Sequence, residues 1–130
     1  MQTRQFHPVF FLGAVLLFLL QGCAFFQHTK QSSPLAGSWT NQTGTVWVLK
    51  EDGTFDVDLT RDGQRDTRGK YTIKGDIITL RSTGGMMPKS CSGNGVYHFT
   101  RNDSELVFAL VSDDCRLRRK NVLLPWHLQK

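Results

Sequence analysis

The chain has 130 residues, three cysteines and a formal net charge of +5. That length suits one domain with a modest core, and the cations are too few and too scattered to form a nucleic-acid footprint. No repeat of solenoid length and no low-complexity tract is present, which excludes repeat arrays and low-complexity scaffolds.

In chain order, Arg4 precedes an apolar run from Val9 to Leu20 that only Gly13 interrupts. As a helix this run would rise about 18 Å, short of the roughly 30 Å hydrocarbon core of a bilayer. The length is that of a signal-peptide hydrophobic region, so a signal helix is expected over residues 1–22. Leu20-Gln21-Gly22-Cys23 then resembles the lipobox of bacterial lipoproteins: an aliphatic residue, a variable one, a small one and a cysteine. The resemblance implies cleavage before Cys23, diacylation of its thiol and acylation of the new amino group. The mature charge would fall to near +4 with the loss of Arg4. Two or three acyl chains hold a protein to a membrane where one does so marginally. Phe25 and Phe26 extend the apolar run, so an uncleaved membrane anchor is the competing reading, with ordinary cleavage a third. In Gram-negative lipoproteins Asp after the lipidated Cys retains the protein at the inner membrane. Ala24 therefore implies sorting to the outer membrane, facing the periplasm.

Residues 23–34, the lipidated Cys and the stretch ending in Ser32-Ser33-Pro34, read as a tether. The domain of residues 35–130 reads as all-β. "AGSWTN" and "TVWVL" open it, and "TFDVDL" alternates Phe55, Val57 and Leu59 with polar residues at period two. "RGKYTIK", "DIITLRS", "GVYHFTR" and "ELVFALV" follow, and a last strand is expected from Leu117 to Leu124. The only helical candidate is a turn after Pro125. Asp52-Gly53, Asp62-Gly63, Gly75-Asp76 and Asn102-Asp103 mark tight turns between them. About eight short strands joined mostly by hairpins argue a sandwich or an up-and-down antiparallel barrel.

With Cys23 assigned to lipid, Cys91 and Cys115 remain as a pair in an oxidising compartment. A three-residue turn from Asn102 to Ser104 would set Arg101 opposite Glu105 and carry Cys91 opposite Cys115, within bridging reach. A redox-active pair is the alternative, although the spacing is unlike Cys-x-x-Cys.

Gly37-Ser38-Trp39 resembles the Gly-x-Trp motif of lipocalins, and "DGTF", "GKYTIKGDIITL", "GVYHF" and "SDDCRLR" extend the likeness to bacterial lipocalin-like lipoproteins over most of residues 35–126. The resemblance implies an eight-stranded barrel closed at one end by Trp39, with an arginine, best placed at Arg118, lying over the indole. The domain is shorter than an ordinary lipocalin. Inward Phe55, Val57, Leu59, Tyr71, Ile73, Leu80, Phe108 and Leu110 would fill much of an eight-stranded interior.

Candidates for chemistry are sparse. His7, His28, His98 and His127 are scattered without metal-ligand spacing, so no metal is expected. Asp56 and Asp58 share a strand face, as glycosidase acids could, but read better as a solvated face. Asp113-Asp114 reads as a turn. No nucleophile triad, phosphate loop or cofactor motif is present; a catalytic role and a cofactor are not expected. Met86 and Met87, in the long loop Gly84 to Ser90, would form either a soft contact patch or a plug over the barrel mouth, with the plug favoured. Outward Val107, Ala109 and Val111 offer an apolar contact. The expected partners are therefore the membrane, through Cys23, and a small apolar or amphipathic ligand or an envelope protein. A lysozyme inhibitor ranks last, since a basic target calls for a locally acidic loop.

Overall fold

The computed structural model describes residues 33–130, so the signal segment, Cys23 and nearly all of the tether lie outside the described residues. Within them the chain forms β1 (Gly37–Asn41), β2 (Val46–Leu49), β3 (Thr54–Asp58), β4 (Thr67–Lys74), β5 (Ile77–Gly85), β6 (Gly95–Arg101), β7 (Glu105–Ser112), α1 (Arg116–Val122) and β8 (Trp126–Leu128). Each strand pairs antiparallel with the next, and β8 returns to β1, closing an eight-stranded barrel in sequence order. Of the sandwich and the up-and-down barrel that the hairpin spacing allowed, the chain forms the barrel that the Gly-x-Trp resemblance implied.

Period-two alternation sorts the side chains. Trp39 stands opposite Trp47, Leu49 opposite Phe55, Tyr71 opposite Leu80, Phe99 opposite Phe108 and Leu106 opposite Trp126. All of these face inward and are buried except Phe99, which is half-buried against the core. Fully burying one such side chain contributes about 1.5–3 kcal/mol. Gly69 on β4 is a space rather than a hinge: a Cβ there would lie 2.3 Å from Phe55 Cζ. The ring of Phe55 therefore packs against bare backbone.

Several expectations need correction. The segment expected as a last strand is instead helix α1, since Cys115 caps it through Sγ, which accepts the Arg118 N–H at 3.3 Å. Arg116 to Lys120 are good helix formers, and the helix has ended before Pro125. The strand closing the barrel is Trp126–Leu128, where a helical turn was expected, because Trp126 is buried in the interior opposite Leu106. In the β6–β7 hairpin Arg101 pairs with Leu106 rather than Glu105. The Asn102 carboxamide accepts the N–H groups of Ser104 and Glu105, which draws Glu105 into the turn and points Leu106 inward.

The cysteines are bonded, but not across paired strands. Cys91 ends a 3-10 turn at Lys89–Cys91 and Cys115 is the N-cap of α1, so the bridge ties the β5–β6 loop to the helix. Finally, Leu110 is 45% exposed where an inward position was expected. A bulge between Val96 and Tyr97 interrupts the β6–β7 register beside it, and β8 accompanies β7 only as far as Leu106.

Candidate functional site

The two ends of the barrel differ in construction. At one end lie the short connections 50–53, 75–76 and 102–104, with the entry to β1. Leu35 is fully buried there and accepts the Trp39 indole N–H on its carbonyl at 3.0 Å. Gly37 has φ near +149°, and a Cβ on it would meet Leu128 Cδ1 at 3.1 Å, so the entry turn requires glycine. The cation over Trp39 is Arg101, its Cζ 5.2 Å from the ring centroid. Arg118, expected in that role, lies at the opposite end: α1 leaves the barrel with β7 and cannot return to the closed end. Arg101 occupies the last position of β6, beside the start of β1's chain entry.

At the other end lie the connections 42–45, 59–66, 86–94 and 113–125, the last holding α1. Between them opens a cavity of about 440 Å³. Its inner wall is Trp47, Phe55, Val57, Leu80 and Trp126; Leu59, Met86, Met87, Leu117 and Val122 surround them. Met86 and Met87 are 63% and 38% exposed, so they rim the mouth rather than plug it. Rings in the wall brace one another: Trp47 meets Trp126 at 5.2 Å, Phe108 at 5.5 Å and Phe55 edge-on at 6.0 Å. Trp47 Nε1 is buried with no hydrogen-bond partner among the described residues.

One side of the mouth is a buried ionic cluster that no local sequence motif announces. Asp113, expected in a solvated turn, accepts from Arg118 Nε at 2.6 Å and Arg118 Nη2 at 2.7 Å, from the Cys115 N–H at 2.8 Å and from the Tyr97 hydroxyl. The carboxylate is fully buried and the guanidinium 9% exposed. Burial opposes the charge on Asp113, but the bonds from Arg118, Tyr97 and the Cys115 N–H outweigh it and hold the carboxyl below its usual range. Burial and the neighbouring carboxylate both push the Tyr97 hydroxyl well above its usual value. Burial works against the Arg118 charge too, yet Asp113 more than offsets it, raising its pKa. Gly95 makes the cluster possible, since a Cβ there would sit 2.4 Å from Asp113 Oδ2. The available signal was Tyr97 itself: an inward tyrosine needs a partner for its hydroxyl.

The remaining candidates stand apart from this cavity. Asp56 bonds Lys50 at 2.6 Å and Arg65 at 3.2 Å, and Asp58 accepts N–H groups of Thr60, Asp62 and Gly63, so both acids organise loops. His98 is exposed beside Asp76 at 3.1 Å. Among the described residues no three His, Cys, Asp or Glu side chains are grouped to hold a metal ion, and no helix is long and apolar enough to cross a membrane. Compared with known proteins, the chain matches no family model, no curated protein and no solved structure.

Proposed function

We propose that the chain is a lipid-anchored protein of the bacterial cell envelope whose barrel binds a small apolar or amphipathic molecule at its open end. The anchor in this reading is Cys23, on the outer membrane's periplasmic face, and the barrel is lipocalin-like. The observation that carries the binding role is the cavity of about 440 Å³, walled by aromatic and aliphatic side chains and rimmed by exposed Met86 and Leu117. Small-molecule sites span roughly 300–1,000 Å³ and are mostly apolar with a few polar groups, the pattern found here. A cavity of about 440 Å³ lies toward the small end of that range, so the ligand is small.

The test uses the mature-length chain, residues 23–130, with Cys23→Ser to remove the lipid attachment point. Titration with a fluorescent acyl probe should saturate at one per chain and perturb Trp47 emission. Linear, non-saturating uptake would refute a built site. Metabolic labelling with a fatty-acid analogue tests the anchor: label should be present in the full chain and absent in Cys23→Ser.

A second reading, contact with an envelope protein, draws on β7, where Val107, Leu110 and Val111 are 40%, 45% and 50% exposed. Crosslinking from this strand to a stoichiometric neighbour, undisturbed by ligand, would favour it.

A further inference from the structure

We infer that the ligand is an amphipathic anion: a single apolar chain inserted among the aromatic rings, with a carboxylate or phosphate head held at the mouth by Arg118, Ser82 and Asn121. This rests on the binding role proposed above and assigns its chemical class.

The argument is a count of hydrogen-bond capacity in the cavity wall. Arg118 has five N–H groups. Nε and Nη2 are spent on Asp113 and on the Gly93 carbonyl at 3.0 Å. Nη1 reaches only the Ser82 hydroxyl oxygen, at a long 3.4 Å, leaving its second hydrogen without an acceptor among the described residues. Ser82 accepts in that contact, and its own O–H has no acceptor there. Asn121 is oriented by its neighbour. Asn41 Oδ1 takes the N–H groups of Thr43 and Thr45 and the Thr43 hydroxyl, which turns Asn41 Nδ2 toward Asn121 Oδ1 at 2.7 Å. The Asn121 Nδ2 donors are then left over. All three side chains line the same cavity.

The wall therefore offers spare donors, while the acceptors of this group are already engaged. The complement of such a surface is a head group that only accepts, and among such groups the excess positive charge of this end selects an ionised carboxylate or phosphate over a neutral carbonyl. A cationic or hydroxyl head would leave the donors unpaired or add another. Charge agrees with this. Asp113 neutralises Arg118, but Lys89 on the 3-10 turn and Arg116 and Lys120 on α1 form no ion pair with a described residue, against the single acid Asp114 beside them. The end as a whole is positive. The bidentate lock on Asp113 fixes the guanidinium in place, so its free edge is pre-organised rather than recruited from solvent.

The experiment compares four probes of equal chain length on the mature-length Cys23→Ser chain, each below its micelle concentration: dodecanoate, dodecyl phosphate, dodecanol and dodecyltrimethylammonium. Calorimetry and Trp47 fluorescence should give the two anions dissociation constants at least ten-fold below those of the alcohol and the cation. The tighter anion identifies the head group, carboxylate or phosphate, and either order supports the assignment. Equal binding of anions and alcohol, or tighter binding of the cation, would overturn it while leaving an apolar site intact. No saturable binding of any probe would overturn the proposed binding role as well. Ser82→Ala provides the second measurement. It should weaken dodecanoate several-fold and leave dodecanol unchanged; equal weakening of both would reduce Ser82 to a packing role and defeat the assignment.

Discussion

The two ends of this barrel solve the same problem, how to finish a stack of inward side chains, in opposite ways. The closed end uses apolar closure: buried Leu35 and Trp39 meet across one hydrogen bond, and the connections there are short. The open end uses polar and covalent ties, the Asp113–Arg118–Tyr97 cluster and the Cys91–Cys115 bridge, placed at the wall so that the centre stays empty. Apolar closure stabilises most when it fills space. A hydrogen-bonded cluster can hold a helix and a loop apart at fixed positions, which an apolar plug cannot.

The largest effect expected from breaking this contrast is at the closed end. Trp39→Ala should cost about 3–5 kcal/mol, the range for removing a fully buried large aromatic, measured by urea denaturation. A cost below 1 kcal/mol would mean the closed end is not where stability resides. Next comes the bridge. Its 24-residue separation suggests about 3 kcal/mol on the chain-entropy model. Cys91→Ala/Cys115→Ala should lose that stability and also loosen the 86–94 loop in hydrogen exchange, with the 50–53 turn unaffected. Uniform loosening of both ends would erase the distinction between them.

The ionic cluster should appear as pH dependence. The Asp113 pKa is lowered by folding, so its contribution is complete above the unfolded carboxyl range near about 4 and is lost as pH falls through the lower folded value. The Tyr97 pKa is raised, so its contribution is complete below about 10 and is lost as pH rises toward the folded value. Denaturation midpoints against pH should therefore fall at both extremes; Tyr97→Phe should reduce the alkaline fall, leaving the part due to Tyr71, whose pKa burial also raises, and should make the acid fall begin at a higher pH, because Asp113 loses the Tyr97 hydroxyl. An undiminished fall in Tyr97→Phe would assign it elsewhere. The smallest effect concerns the arginines. Arg101→Ala and Trp39→Phe should couple by roughly 0.5–1 kcal/mol in a double-mutant cycle, whereas Arg118→Lys and Trp39→Phe should be additive. Coupling of Trp39 to Arg118 alone would restore the expected lipocalin-type pairing and contradict the geometry.

Much of the architecture was legible because strands are local. Period-two alternation at Phe55 and Val57, or at Tyr71 and Ile73, reports a half-buried strand whatever its neighbours, and Asp-Gly or Gly-Asp pairs mark where it turns. The errors cluster where local signals conflict. Residues 116–122 contain no period-two or long helical pattern, and the helix there exists because Cys115 caps it and the bridge anchors it. A three-residue strand such as Trp126–Leu128 is too short for any periodicity to identify; burial of Trp126 places it. Met86 and Met87 rim the mouth instead of plugging it, and their sequence is equally compatible with both, because a loop's hydrophobicity does not state which way it points.

By itself, then, the sequence determined the all-β class, strands β1 to β7, the inward positions Phe55, Tyr71, Leu80 and Phe108 and the identity of the two cysteines left to pair, since each follows from residues adjacent in the chain. Only the tertiary structure decided that Arg101 rather than Arg118 covers Trp39, that Asp113 is buried with Tyr97, and that space remains at one end. Those facts depend on which residues from distant strands meet, and on a one-residue hairpin register and a bulge. Such details are set by the summed packing of the whole interior, so no local stretch of sequence encodes them.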